Sequence, residues 1–210
     1  MNSLETAWRS LGRYKKSGFP ADYPDNVRRL YSPVDRPHEA LVRCVSSAQL
    51  SLASAMFGWD DKEINELFLK ALKDEHLPVQ LSLDSTQAAG KGEVPLLKEW
   101  SGPIGNSLSI GHSIKGAITH LKTFVIDGIL TVGGSMNLSH GGQYDQDNEM
   151  FFVWDPVFAA ETRARLDAIH DAQLMQMAKH KQKLIVDYAA KGSDLTSEQR
   201  HQLEAGVIPH

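Results

Sequence analysis

Residues 120–137 read HLKTFVIDGILTVGGSMN, with the spacing H-x-K-x4-D-x6-G-S-x-N, and the rest of the chain is read outward from them. Ile118–Ile126 has the composition of a strand. Asp127-Gly128 is a hairpin dipeptide, and Ile129–Val132 is the returning strand, ended by Gly133-Gly134-Ser135. Two positions apart on a strand, His120 and Lys122 project from one face. An imidazole beside an ammonium is a poor core pair, because two potential cations repel once desolvated. The pair makes sense around an anion. The hairpin brings Gly134, Ser135 and Asn137 towards the same end of the sheet. Glycine lets the backbone approach a ligand, while the hydroxyl and carboxamide supply hydrogen bonds. Together these groups make a phosphate site with a nucleophile in it.

Upstream, Gln49–Phe57 and Val79–Asp84 read as strands. Between them lies a helix capped by Asp60 or Asp61, with Ile64, Leu67, Phe68, Ala71 and Leu72 on one face. Strand–helix–strand at this spacing is a parallel, right-handed unit. Pro37 opens an earlier helix carrying Ala40, Leu41, Cys44 and Val45. Residues 85–116 are rich in Gly, Ser and Pro and read as an active-site loop, with a short helix at Leu96–Trp100. Downstream, Glu149–Trp154 is a strand stopped by Asp155-Pro156. From Val157 the pattern is helical through Leu166, Ile169, Leu174, Met177, Leu184, Ile185 and Tyr188, until Gly192. Thr196-Ser197-Glu198-Gln199 caps a last short helix that Gly206 ends. The expected class is α/β: a mixed, partly parallel sheet flanked by helices, with a helical C-terminal tail. The expected organisation is an N-terminal basic arm (1–30), a catalytic domain (31–170) and the tail (171–210).

The 210 residues include 22 basic and 26 acidic side chains, for a net charge of −4, which argues against coating nucleic acid by bulk charge. Residues 1–31 run the other way, with Arg9, Arg13, Lys15, Lys16, Arg28 and Arg29 against Glu5, Asp22 and Asp25. The single cysteine, Cys44, rules out an internal disulfide framework and reads as a buried small hydrophobe. The start has no apolar signal-peptide core, and no stretch is apolar enough to span a membrane, so the expected compartment is the cytoplasm.

The 120–137 segment resembles the HKD signature of the phospholipase D superfamily, and in particular the small single-motif bacterial endonucleases within it. Glu149, after Asn148, matches the glutamate that the family places on the next strand. The resemblance covers residues 30–170. It implies a phosphodiesterase in which a neutral imidazole attacks phosphorus, forming a covalent phosphohistidine, while a second, protonated imidazole serves the leaving oxygen and then activates water. His120 would be the nucleophile. Lys122, Ser135 and Asn137 would hold the non-bridging oxygens, and Glu149 would orient the ring. Gly134 and His140 join the substrate-binding set. Asp127 belongs to the signature and is counted with the catalytic set, but its opposite strand parity and its place at the turn point to supporting the site from behind or stabilising the fold rather than touching substrate.

That mechanism needs two imidazoles, and the chain holds one motif. His112 with Lys115, and His180 with Gln182 where the lysine should stand, lack the remaining pattern. A homodimer with the active site at its two-fold axis supplies the second ring, as the resemblance also implies. No cofactor or metal is called for: His38, His76, His112, His140, His170, His180, His201 and His210 form no ligand motif. The motif fixes the reaction better than the substrate. A compact single-motif chain favours a DNA endonuclease of low sequence specificity, with RNA left open as a further substrate. A lipid phosphodiesterase and a catalytically silent phosphate-binding protein are the alternatives. On the C-terminal helix, Arg163, Arg165, Lys179, Lys181, Lys183 and Lys191 suit a nucleic-acid backbone and plain solvation equally.

Overall fold

The computed structural model describes residues 3–74, 76–88 and 108–191, with side chains through residue 182. Along the chain these form α1 (Ser3–Arg9), a 3-10 turn (Leu11–Tyr14), β1 (Val27–Ser32), α2 (Pro37–Val45), β2 (Leu52–Met56), α3 (Lys62–Leu72), β3 (Val79–Asp84) and α4 (Ser85–Ala88). There follow β4 (Leu108–Gly111), β5 (Lys122–Ile126), β6 (Leu130–Gly134), a π turn (Gly141–Asp145), β7 (Asn148–Trp154) and α5 (Pro156–Lys191). The strands join in one sheet, ordered β1-β7-β6-β5-β2-β3-β4. β2, β3 and β4 run parallel. β1, β7, β6, β5 and β2 pair antiparallel in succession.

The local chemistry explains the elements. Pro37 occupies the first turn of α2, where its missing N–H costs nothing. The Asp61 side chain accepts from Ile64 N at 2.8 Å and starts α3. On β2, alternation sends Leu52 and Met56 into the main core, where Trp59, Phe68 and Phe124 pack ring against ring at centroid distances of 4.9 to 6.4 Å. Ala53 and Ala55 face the other way, and their small size admits Ala159 and Leu166 of α5.

Further along, α5 meets the sheet through polar groups. The Ser82 and Ser109 hydroxyls lie 3.1 and 2.9 Å from His170 Nδ1. Ser109 donates to Gln173 Oε1 at 2.8 Å, and Gln173 Nε2 donates to the Leu83 and Gly111 carbonyls. All four side chains are buried, and the network satisfies groups that would otherwise be costly to bury.

Several expectations shift. β5 begins at Lys122 rather than residue 118, so His120 precedes the strand instead of lying on it. The returning strand runs to Gly134. The stretch read as loop contains α4 and β4. The leading segment packs instead of trailing: Leu4, Ala7, Trp8, Leu11 and Tyr14 are buried in the main core, and β1 starts at Val27. α5 continues unbroken past residue 170. The proposed helices at Leu96–Trp100 and after Thr196 lie outside the described residues. Cys44 is fully buried, and burial pushes its thiol up to about 12. Among the described residues no helix is long and apolar enough to cross a membrane.

Candidate active site

The parallel strands β2 and β3 and the start of antiparallel β5 open at one end of the sheet, and the motif's first half gathers there. His120 is exposed, between buried Thr119 and half-buried Leu121. Its neighbours hold it on both sides. Thr119 N donates to the Asp84 carboxylate, and Phe57 N donates to Leu121 O at 2.8 Å. The imidazole meets the Phe57 ring edge-on, with centroids 4.7 Å apart. Among the described residues the ring nitrogens have no hydrogen-bond partner, which leaves them available to a ligand.

Lys122 is only 6 % exposed. Its ammonium donates to the His120 carbonyl at 3.2 Å and lies 4.9 Å from the centre of the Phe57 ring. No carboxylate pairs with it among the described residues, and burial alone lowers its pKa. An ammonium so placed has unused donor capacity, and an anion would recover much of its desolvation cost. His120 and Lys122 therefore come together as expected, but through a bend before the strand and a shared aromatic wall.

The hairpin supplies the other side. Ser135 is exposed. Its hydroxyl donates to Asn148 Oδ1 at 3.0 Å and accepts from Glu149 N at 3.1 Å. Asn148 also donates to Gly142 O, tying the serine to the π turn. Gly134 has φ +152°, and a Cβ there would lie 2.2 Å from Glu149 O. Its bareness thus serves the approach of β6 to β7. The Asn137 carboxamide packs on Gly58, and its buried Oδ1 has no hydrogen bond among the described residues. His140 stands on the rim, its side chain 81 % exposed and its ring 5.1 Å from that of Tyr144.

Two of the expected site carboxylates are engaged elsewhere. Asp127 sits at the opposite end of β5, where its carboxylate accepts from the backbone amides of Gln49, Leu50 and Ser51. It closes the turn between α2 and β2. Glu149 does not reach His120 within the chain; its carboxylate lies 3.5 Å from Arg29 Nε, and the pair raises the arginine's pKa after a larger contribution from Tyr31. Sequence reasoning missed Phe57, Asp84 and Asn148. Asp84 closes the strand VQLSLD, and a carboxylate ending an apolar strand was the available signal. Among the described residues no three His, Cys, Asp or Glu side chains converge to hold a metal ion.

An exposed imidazole and a buried ammonium thus stand side by side at one end of a mixed α/β sheet. The family model described as cardiolipin synthase, PLD-like domain, matches residues 41–170, and the chain belongs to this phospholipase D-like family. The fold is similar to that of Nuc, a phospholipase D family member from Salmonella typhimurium. That match has a TM-score of 0.61 and 18 % identity, covering 70 % of this chain and 94 % of that one. NucT from Helicobacter pylori gives 0.59 and 13 %, covering 70 % and 96 %. Phosphatidylserine synthase from Haemophilus influenzae gives 0.50 and 12 %, covering 87 % and 47 %. At these identities the likeness speaks for the fold. No curated protein matches in sequence.

Proposed function

We propose that the protein is an endonuclease of low sequence specificity that hydrolyses DNA through a phosphohistidine at His120 in a homodimeric site. The observation that carries this reading is the exposed imidazole of His120 beside the buried ammonium of Lys122, with no hydrogen-bond partner on the ring and no carboxylate on the ammonium among the described residues. An imidazole nitrogen of His120 attacks phosphorus, forming a P–N bond as the P–O bond to the leaving strand breaks. The partner subunit's His120, protonated, gives its proton to the leaving oxygen. That ring, now neutral, takes a proton from water, whose oxygen attacks phosphorus and breaks the P–N bond. Lys122 and Ser135 bind the non-bridging oxygens as charge builds on them. Support for the dimer comes from the count of imidazoles and from the β1–β7 face, where Tyr31 is exposed and Glu149, Phe151 and Val153 are half-buried. With that face inside an interface, two sites can share one axis.

The test is incubation with supercoiled plasmid in excess EDTA, beside His120→Ala. Nicking by the wild type alone is expected, at a rate at least about a thousandfold above the variant. Turnover of phosphatidylcholine vesicles without plasmid cleavage would replace the nuclease reading with the lipid one. Full activity from a species that light scattering shows to be monomeric would refute the shared site.

A further inference from the structure

The segment bearing His120 has no regular backbone structure. Residues 112–121 belong to no helix or strand, and Ile114–Ile118 are exposed. Ser113, Gly116 and Ala117 hydrogen-bond among themselves. Left at that, the nucleophile would ride on a turn that fluctuates against the sheet. Thr119 prevents this. It is 4 % exposed, and two fully buried side chains from different elements converge on it. Asp84, at the end of β3, accepts its N–H through Oδ2. Gln173, on α5, reaches its hydroxyl at 3.4 Å. Asp84 is itself fixed: its other oxygen, Oδ1, accepts from both the backbone amide and the hydroxyl of Thr86.

We infer that Asp84 is a positioning residue for the reaction: its buried carboxylate holds the backbone N–H of Thr119, the residue before His120, and so sets where the imidazole stands. The inference rests on His120 being the nucleophile. A carboxylate suits the task because it accepts at both oxygens, with one oxygen for Thr86 and the other for Thr119. A carboxamide of the same shape cannot do this. In Asp84→Asn either the Thr119 amide or the Thr86 donors face an NH₂ group, donor against donor. The backbone before His120 must then shift, and a displacement of about 1 Å at a reacting group costs on the order of a hundredfold in rate.

The experiment compares Asp84→Asn with Thr86→Val, which removes one hydrogen bond from the same carboxylate but leaves the Thr119 contact in place. Two measurements are made on the full chain: kcat and KM with a small chromogenic phosphodiester, and the imidazole resonance of His120 by NMR. Asp84→Asn is expected to lower kcat about a hundredfold with KM within about twofold, and to shift the His120 signal as the ring leaves Phe57. Thr86→Val is expected to lose thermal stability while keeping both kcat and the resonance. Equal loss of kcat in the two variants at equal loss of stability would reduce Asp84 to a structural role and overturn the inference. An unshifted His120 resonance in Asp84→Asn would also overturn it. A wild type inactive on every phosphodiester would instead refute the enzymatic reading, while the resonance would still decide whether Asp84 places the ring.

Discussion

Replacing Asp127 separates the architecture of this site from its chemistry. The residue belongs to the motif, yet its carboxylate accepts from Gln49 N at 2.9 Å, Leu50 N at 2.7 Å and Ser51 N at 3.1 Å, all at the far end of β5. Its own N–H donates to Ser51 O at 2.9 Å. Hydrogen bonds to a charged group contribute about 1.5–3 kcal/mol each when desolvated. Gln49 and Leu50 are exposed, so water competes and about 1 kcal/mol each is the fair value here. Asp127 also has φ +53°, which Asp and Asn tolerate and which strains alanine by about 1 kcal/mol or more. Asp127→Ala should therefore cost about 4 kcal/mol, and Asp127→Asn, which keeps the tolerated backbone and one acceptor oxygen, about 1–2 kcal/mol. For a chain of this size, the first corresponds to a fall in Tm on the order of 10 °C and the second to about a third of that. The assay pairs thermal unfolding by circular dichroism with kcat on a chromogenic phosphodiester, measured well below the lower Tm. The folded fraction should keep wild-type kcat within about threefold in both variants. A hundredfold loss of kcat with Tm unchanged would show that Asp127 acts on the reaction, and the division of labour argued from its position would be wrong.

Other expectations follow from the buried charges. Lys122→Met should abolish phosphodiesterase activity and raise Tm by a few degrees, because it removes a buried ammonium that no carboxylate pairs among the described residues; lowered Tm would contradict this. The depressed pKa of Lys122 also means that its charge destabilises the fold below the folded-state pKa. This cost fades as pH rises towards the ordinary lysine value of 10.5, so substrate affinity should begin to weaken below the usual lysine range, as seen in KM against pH. His38 Nε2 lies 2.8 Å from Asp61 Oδ2, close but poorly aligned for an N–H bond, so the contact acts as an ion pair. Burial is the largest single influence and opposes charge on both groups, but it is outweighed together by Asp61, Glu63 and Glu39 around His38, and by His38, the Ile64 N–H and Gln143 around Asp61, which raises His38 above 6.5 and lowers Asp61 below 3.8. The His38 contribution is complete below pH 6.5 and is lost as pH climbs through its raised value. The Asp61 contribution is present above pH 3.8 and is lost as pH falls through its lowered value. Wild-type Tm should thus be best supported between these limits, and His38→Gln should flatten the decline above pH 6.5; an unchanged slope would rule the pair out as its source.

Much of this was legible in residue spacing. The 64/67/68/71/72 pattern and a cap at Asp60 or Asp61 announced α3, Val79–Asp84 was read to its ends, and Asp127-Gly128 marked the hairpin because few other dipeptides accept two positive φ values. The motif likewise placed His120, Lys122, Ser135 and Asn137 at one end of the sheet. What spacing could not convey was tertiary. A two-residue alternation suggests a strand wherever it occurs, so nothing local revealed that pairing with β2 begins at Lys122 and leaves His120 before it. β4 has only four residues, within a stretch of turn-forming composition, and gains its identity from β3 alongside. The leading segment looked like a charged arm because its basic residues outnumber the acidic ones, although Leu4, Trp8 and Leu11 were the informative positions. Arg29 is far from Glu149 in sequence, so its claim on that carboxylate was invisible.

The serine, histidine and glutamine seam beneath α5 also constrains how this helix can change. Greasy contacts forgive sliding, whereas keyed contacts do not. Inserting one residue between Leu166 and His170 would turn everything after it by about 100°. His170 and Gln173 would then swing off their serines and leave donors and acceptors stranded in the dry interior. Length variation in this helix should therefore be tolerated beyond the seam and rejected before it.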